Sequence, residues 1–240
     1  MCTVSFIPRS RGYALMMNRD EKRTRIAGLP PQLHKIDRRA VLYPSEPGGG
    51  TWISLNDTGV TLVLINWYSV NQRVVAGVIS RGQVVNSACA AGTKDQVDSV
   101  VAPLPLAKIN PFRLIGIFLA TSEVFEWRWN LSKLEIHQHP WRPQQWISSG
   151  FDEPKAQQIR SATFRRAQTQ NSAGTLEWLR RLHRSHHPDC GAFSTCMHRA
   201  DAATVSSTEI VVSSGRATMR HHPGPPCQTS NQIVRHVNRI

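Results

Sequence analysis

Apolar and polar positions in the first twenty residues predict a β-hairpin. Residues 3–7 and 13–17 are short runs rich in apolar and branched side chains, and the segment 8–12 between them contains a proline and ends on Gly12. A chain that folds back at Gly12 returns residues 18–20 to the level of residue 2. The hairpin is therefore expected to bring the start of the chain beside a polar segment.

The same kind of pattern predicts further strands along the chain. Residues 51–55 and 60–66 form a strand pair around a strong hairpin signal at 56–59. The proline- and glycine-rich stretches 29–31 and 44–50 bracket an irregular segment that we interpret as a pocket rim. The remaining predicted strands are 112–120, 123–129, 134–137, 193–197, 204–213 and 217–221.

Helical periodicity appears at 95–101, 152–168 and 175–183. The apolar stripes of the last two consist of Ala156, Ile159, Thr163, Phe164 and Ala167, and of Leu176, Leu179 and Leu182. We interpret both stripes as faces that pack on a sheet rather than as partner-binding grooves. Strands, helices and strands in this order predict a mixed α+β domain.

Length and composition predict one globular domain over residues 1–222. The chain has 240 residues, of which 40% are hydrophobic and 19% charged, and the proline-rich segment 223–226 begins a tail, 223–240, that we expect to be poorly structured. The longest apolar run, 114–120, is too short to cross a bilayer, and no secretory signal opens the sequence. Five cysteines without a compact disulfide spacing favour reduced thiols and a cytoplasmic location.

The formal net charge of +13 raises the possibility of a nucleic-acid or other anionic partner. Residues 1–40 hold nine Lys or Arg against three Asp or Glu, and residues 155–184 hold seven against one. No nucleic-acid motif accompanies these clusters, and aromatic side chains are not placed regularly among them. A basic surface is thus favoured over specific nucleic-acid recognition.

Cys2 and the segment Asn18-Arg19-Asp20-Glu21 are the residues with the most evident chemistry. If Met1 is removed, Cys2 carries both a thiol and an α-amine, and the amine can serve as general base for the thiol. The two groups titrate near ~8.5 and ~7.7–8.0 respectively, so neither requires a large pKa shift. Arg19 would favour the thiolate, and Asp20 would orient the amine. The alternative is that Cys2 is a small core residue and residues 19–21 are a solvated turn.

At the same residues the chain resembles the NRDE family, which is named for this tetrapeptide and includes the transport and Golgi organisation 2 proteins. Gly49-Gly50-Thr51-Trp52 matches the family's GGTW element, and Leu64-Ile65-Asn66-Trp67 is similar to its strand that ends in Thr-Asn-Tyr. That family resembles in turn the choloylglycine hydrolases and penicillin V acylases. The resemblance implies a four-layer αββα N-terminal-nucleophile hydrolase fold.

Site residues follow from this resemblance position by position. It implies Cys2 as nucleophile, Arg19 and Asp20 as its polar partners, and Asn66 as oxyanion-hole donor. Residues implied at the substrate are Asn18, Trp52, Ser149 and Arg199. Relatives carry an asparagine where this chain has Ser149, and a hydroxyl cannot pair in both directions as a carboxamide does. Arg199 is equally compatible with a surface salt bridge to Asp201.

Histidines and cysteines near the C-terminus also suggest a metal site. Residues His186, His187, Cys190, Cys196 and His198 lie within thirteen positions, but they lack a Cys-x-x-Cys knuckle. We interpret them as a polar loop before a strand and predict neither a metal nor a cofactor.

Three functions therefore remain open from the sequence. The first is a cysteine hydrolase or acyltransferase that acts on a carbon–nitrogen amide bond of a small-molecule substrate. The second is a non-enzymatic carrier that uses the same cleft for haem or lipid, as the family resemblance also implies. The third is a basic anion- or nucleic-acid-binding domain. Neither a specific nucleic-acid partner nor a membrane span is predicted.

Overall fold

A computed structural model describes residues 2–240; the predicted removal of Met1 lies outside the described residues. The strands are β1 (Cys2–Arg9), β2 (Gly12–Lys22), β3 (Leu29–Ile36), β4 (Arg39–Ser45), β5 (Ile53–Asn56), β6 (Val60–Asn66), β7 (Phe112–Phe118), β8 (Glu123–Trp129), β9 (Leu134–His139), β10 (Gln144–Ser148), β11 (Ala202–Val212), β12 (Arg216–His222) and β13 (Ile233–Asn238). The helices are α1 (Gly82–Ala88), α2 (Lys94–Val101), α3 (Glu153–Gln168) and α4 (Leu176–Arg184), with one 3-10 turn at Leu106–Lys108.

The strands form two sheets. A six-stranded sheet has the order β10-β1-β2-β11-β12-β13, and a seven-stranded sheet joins β3 to β9 in sequence order. The chain divides into two compact units, each built from separated segments. The first unit contains residues 2–27, 142–211 and 220–234, and the second contains residues 28–141, 212–219 and 235–240.

In the first unit, α3 and α4 pack on one face of β1 and β2. A side chain caps the N-terminus of each helix. Asp152 accepts a hydrogen bond from the Lys155 amide, and Thr175 accepts one from the Trp178 amide. Of the predicted apolar stripes, five residues are buried, and Ile159, Ala167 and Leu176 are partly buried. The resulting cluster consists of Ile7, Ala14, Met16, Phe164, Trp178, Leu179 and Leu182. The even-numbered residues of β2 therefore face the helices, because side chains alternate along a strand.

In the second unit, α1 and α2 cover the core formed by β6, β7 and β8. Trp127 is fully buried, and its indole nitrogen donates to Asp98 Oδ1 on α2 at 2.7 Å. The adjacent Glu126 is also fully buried and is bound by Arg113, Arg128 and His139. A buried carboxylate is tolerated here because three basic side chains surround it.

Several predicted elements are corrected by the structure. The irregular segment expected across residues 29–50 contains β3 and β4. The prolines of β3 concealed it in the sequence, yet proline is compatible with an edge strand, and β3 lies at the edge of its sheet. Residues 193–197 are not a strand. The tail predicted to be poorly structured includes β13, so that prediction was wrong for residues 233–238. The single domain proposed for residues 1–222 stays a prediction.

Helix α1 and strand β10 were not predicted from the sequence, because each is short and carries few apolar side chains. Among residues 2–240, no helix is both long and apolar enough to cross a membrane.

Candidate functional site

Cys2, Arg19 and Ser148 form a row across three neighbouring strands of the first unit. Cys2 in β1 lies directly opposite Arg19 in β2 on one side and Ser148 in β10 on the other. Directly opposed residues in antiparallel strands project from the same face of the sheet. The exposed fractions of Cys2, Arg19 and Ser148 are 8%, 5% and 0%, so all three are buried. The predicted pairing of Cys2 with Arg19 is thus present.

The hydroxyl of Ser148 is buried and makes no hydrogen bond within the part of the chain that the structure describes. A buried polar group without a partner costs free energy and is a position where a ligand group can bind. Ser148 is therefore a candidate contact for a substrate held at Cys2. The sequence suggested its neighbour Ser149 instead.

Asp20 projects from the opposite face of the sheet. Its Oδ2 atom accepts from Arg160 Nη1 at 3.2 Å, and its Oδ1 atom accepts from Thr204 Oγ1 at 2.7 Å. The same Arg160 nitrogen donates to Thr3 Oγ1 at 2.7 Å. Since Thr3 and Asp20 share Arg160, both lie on the helix-covered face, whereas the side chain of Cys2 lies on the other. Asp20 follows Arg19, the residue that pairs with Cys2 in the hairpin. Its carboxylate nevertheless binds Arg160 and Thr204 on the face of the sheet opposite the thiol.

Asn18 also faces the helices, and both ends of its amide are occupied. Its Nδ2 atom donates to the carbonyl oxygens of His183 and Thr195 at 2.8 and 2.9 Å. Its Oδ1 atom accepts from His183 Nδ1 at 3.0 Å, so His183 Nε2 is the acceptor for Ser5 Oγ, also at 3.0 Å. Burial, with the nearby Arg160 guanidinium, lowers the pKa of His183 to about 3. Asn18 is a structural residue, which argues against the substrate contact predicted for it.

Burial raises the pKa of the Cys2 thiol, and Asp20 adds to this effect while Arg19 opposes it. The sequence led us to expect a thiol near its ordinary pKa. The difference arises because Cys2 is enclosed by β2 and β10, and an enclosed thiolate is poorly solvated.

His221 on β12 is a buried polar residue of the first unit that the sequence did not single out. Its Nδ1 atom lies 3.0 Å from Thr208 Oγ1 on β11. Burial, then the neighbouring His222 and Arg19, lowers the pKa of His221 to about 4. In the sequence His221 ends a predicted strand, and nothing distinguishes it from the histidine that follows.

Ser149 and Arg199 contribute to local structure in the first unit. Ser149 is buried, its amide nitrogen donates to Glu153 Oε1 at 3.2 Å, and its hydroxyl accepts from the Phe151 amide at 3.3 Å. It thereby fixes the loop that leads into α3. Arg199 binds Asp201 at 2.9 Å and stacks 4.4 Å above the ring of Phe151. Of the two roles that the sequence allowed for Arg199, the structure contains the salt bridge to Asp201.

Asn66 and Trp52 belong to the second unit. Asn66 ends β6, and its Nδ2 atom donates to the Tyr68 hydroxyl at 2.8 Å. Trp52 is buried and lies against Gly28, where an added Cβ would stand 2.6 Å from the indole ring. Both residues therefore have defined positions within this unit, while their predicted roles stay predictions.

The Gly49–Trp52 motif has a structural explanation in the same unit. Gly49 has a φ of +82°, which favours glycine, and a Cβ at Gly50 would lie 3.3 Å from the Cα of Gly82. Thr51 donates its hydroxyl proton to the Pro44 carbonyl. The motif is thus a tight turn that packs against the start of α1.

The fold is that of an N-terminal-nucleophile hydrolase, as the sequence predicted. A crystal structure of the mutant C2A conjugated bile acid hydrolase from Clostridium perfringens is similar over 99% of this chain and 92% of its own, with a TM-score of 0.56 and 11% sequence identity. No curated protein matches the sequence. The chain belongs to the Transport and Golgi organisation 2 family, whose model matches residues 1–213. This membership confirms the resemblance drawn from the motifs.

Proposed function

We propose that the protein is a cysteine N-terminal-nucleophile hydrolase or acyltransferase that acts on a carbon–nitrogen amide bond. The observation that carries this proposal is the row of Cys2 between Arg19 and Ser148 on one face of the sheet. A guanidinium stabilises a thiolate, and a hydroxyl without a partner can donate to a substrate oxygen. The row places both the Arg19 guanidinium and the Ser148 hydroxyl on the strands that flank Cys2.

The reaction begins after removal of Met1, when the α-amine of Cys2 accepts the thiol proton. The sulfur then forms a bond to the amide carbonyl carbon, and the carbonyl electron pair moves to oxygen. When the carbonyl re-forms, the carbon–nitrogen bond breaks and the nitrogen leaves with the proton from the α-amine. Water, or another acceptor, attacks the resulting thioester and releases the acyl group and the thiol. Asn66 is the proposed donor to the oxyanion.

The structural relative supports the same position for the nucleophile. It is a conjugated bile acid hydrolase in which a cysteine at position 2 was replaced by alanine. A small amide substrate is therefore the class that we propose for this chain. The five cysteines are free thiols, which supports a reducing, cytoplasmic location.

A carrier function is the second candidate, and two observations favour it. Burial raises the pKa of the Cys2 thiol, so the nucleophilic thiolate is disfavoured. Ser149, which replaces the family asparagine, is buried. Its backbone amide donates to Glu153, and its hydroxyl accepts from the Phe151 amide. A carrier of haem or lipid would need only the shape and charge of the cleft.

Intact-mass spectrometry with a small acylating ester tests the first proposal. We expect loss of Met1 and a single acyl adduct that is absent in Cys2→Ser and retained in Cys190→Ser, which removes an exposed thiol elsewhere. Amides, acyl-thioesters and haem are then screened by thermal shift, and every hit is assayed for product. Ligand stabilisation that persists in Cys2→Ser, with no turnover of any hit by the wild type, would overturn the hydrolase and leave the carrier.

A further inference from the structure

Four side chains from two separate loops of the first unit converge on one point. They are His186, Cys196, His198 and Cys227, and their ligand atoms all lie within 4.8 Å of one another. His186 follows α4, Cys196 and His198 precede β11, and Cys227 lies in the turn after β12. This cluster includes three of the residues that the sequence grouped near the C-terminus, and adds Cys227.

The separations of the ligand atoms are close to the edges of a metal tetrahedron. The sulfurs of Cys196 and Cys227 are 3.4 Å apart, and His198 Nε2 lies 3.6 Å from the first and 3.3 Å from the second. Zinc bonds of ~2.3 Å to sulfur and ~2.0–2.1 Å to nitrogen place two tetrahedral sulfurs about 3.8 Å apart and a sulfur and a nitrogen about 3.6 Å apart. An ion at the centre would therefore require these three atoms to move apart by about 0.4 Å at most.

His186 provides a second and independent observation. Its Nε2 atom is buried and has no hydrogen-bond partner among the described residues. The ring packs edge-on against His198, with the centroids 5.0 Å apart. A buried imidazole nitrogen without a partner is costly unless another group binds it, and a metal ion is such a group.

Backbone hydrogen bonds hold the ligand-bearing segments in place. The amide of Cys196 donates to the Ser185 carbonyl at 3.0 Å, which fixes residue 196 beside His186. The amides of Gln228 and Thr229 both donate to the Pro225 carbonyl, and this turn presents Cys227. The cluster is thus built by the local backbone rather than by surface side chains that happen to meet.

The neighbouring residues of the same loop take no part in the cluster. His187 Nδ1 lies 3.1 Å from Thr163 Oγ1, and Cys190 is exposed. Only three of the five residues in the histidine- and cysteine-rich segment, namely His186, Cys196 and His198, therefore belong to the cluster. This selectivity explains why the sequence spacing did not resemble a zinc knuckle.

We propose that His186, Cys196, His198 and Cys227 form a structural zinc site. Two thiolates balance the charge of Zn²⁺, and a Cys₂His₂ set with four protein ligands is typical of closed structural sites rather than catalytic ones. The ion would fasten residues 186–198 to the turn at Cys227. That loop in turn accepts the Asn18 and Arg160 hydrogen bonds through the carbonyls of Thr195 and Ala192.

Metal analysis and cobalt titration of the full chain test this proposal. We expect about one zinc per chain in protein purified under reducing conditions, and a visible thiolate-to-cobalt absorption when Co²⁺ is added to metal-free protein. Zn²⁺ should displace the cobalt. Cys227→Ala should weaken zinc binding by at least about 100-fold, because even outer-shell partners are worth ~10–100-fold. Cys190→Ala is the matched control and should bind as the wild type does.

A thermal-shift measurement with a chelator separates binding from folding. The chelator should lower the melting temperature of the wild type and Cys190→Ala, but not that of Cys227→Ala. If Cys227→Ala fails to fold, His186→Ala and the cobalt spectrum of the wild type replace it. The proposal is overturned if the wild type takes up no stoichiometric zinc or cobalt, if Cys227→Ala binds equally well, or if the reduced preparation shows a Cys196–Cys227 disulfide by its mass.

Discussion

Arg160 and Asp20 form an ion pair in which neither side chain is exposed to solvent, and 140 residues separate them in the sequence. Arg160 also donates to Thr3 and to the carbonyls of Ala192 and Phe193. One guanidinium on α3 thereby joins the first two strands to the loop that carries the cysteine and histidine cluster. Such a pair is costly to break because the remaining charge stays buried.

Replacement of Arg160 by methionine should therefore destabilise the protein by about 3–5 kcal/mol. The reason is that Asp20 would lose the Arg160 guanidinium in a site that is buried from solvent. Urea denaturation measures the change, and the exposed Arg165→Met on the same helix is the control. Addition of Asp20→Asn to Arg160→Met should recover part of the loss, and no recovery would contradict this explanation.

Stability should fall as the pH is lowered from 6.5 towards 4. The pKa of His183 is lowered to about 3 and that of His221 to about 4, so both stay neutral in the folded chain while the unfolded chain takes up protons below pH 6.5. The contribution of each such histidine to the free energy of unfolding is fully present above pH 6.5. Below that pH it declines by about 1.4 kcal/mol per pH unit.

Denaturation at several pH values measures this slope. His183→Gln should reduce the slope even if its stability at pH 7 is lower, and His236→Gln, at an exposed position, is the control variant. An unchanged slope in His183→Gln would show that other groups are responsible.

Under the hydrolase proposal, Asn66→Ala should slow acylation by ~10²–10³ with little change in substrate binding, as for other oxyanion donors. Tyr68→Phe, which removes the hydroxyl that now accepts from Asn66, is the matched control and should have a much smaller effect. Single-turnover kinetics separate acylation from binding. Equal losses in both would instead mark Asn66 as a ligand contact.

Gly82→Ala should destabilise the second unit by about 1–3 kcal/mol. Its Cβ would lie 2.9 Å from both Gly50 Cα and the Thr51 nitrogen, and these are backbone atoms that cannot rotate away. Gly48→Ala is the control, since a Cβ there meets nothing within 4 Å. Equal melting temperatures for the two variants would argue against a tight turn at the motif.

The hairpin and the pairing of Cys2 with Arg19 were predictable from the sequence because they depend on local pattern. A turn ending at Gly12 and alternation along the strands suffice to set Cys2 opposite Arg19. The same alternation, applied one residue further, places Asp20 on the other face. The family resemblance treats Arg19 and Asp20 as a pair, and this concealed their placement on opposite faces.

Partners distant in the sequence were not predictable. Periodicity identifies the apolar side chains that α3 buries, but it identifies neither Arg160 as buried nor Asp20 as its partner. Cys227 lies 29 residues from His198, and only the fold of the loops brings their ligand atoms together. Strand β13 was missed because a mixture of apolar and charged side chains at a sheet edge resembles an unstructured tail.

The distance in sequence between Asn18 and His183, 165 residues, has a consequence for biosynthesis. At a synthesis rate of ~5–20 residues per second, the ribosome makes His183 on the order of ten seconds or more after Asn18. Strand β10, which encloses Cys2 on its second side, is also made late. During this interval the amino terminus has emerged while its final neighbours do not yet exist. An aminopeptidase that removes Met1 would therefore act on the nascent chain, before folding encloses Cys2.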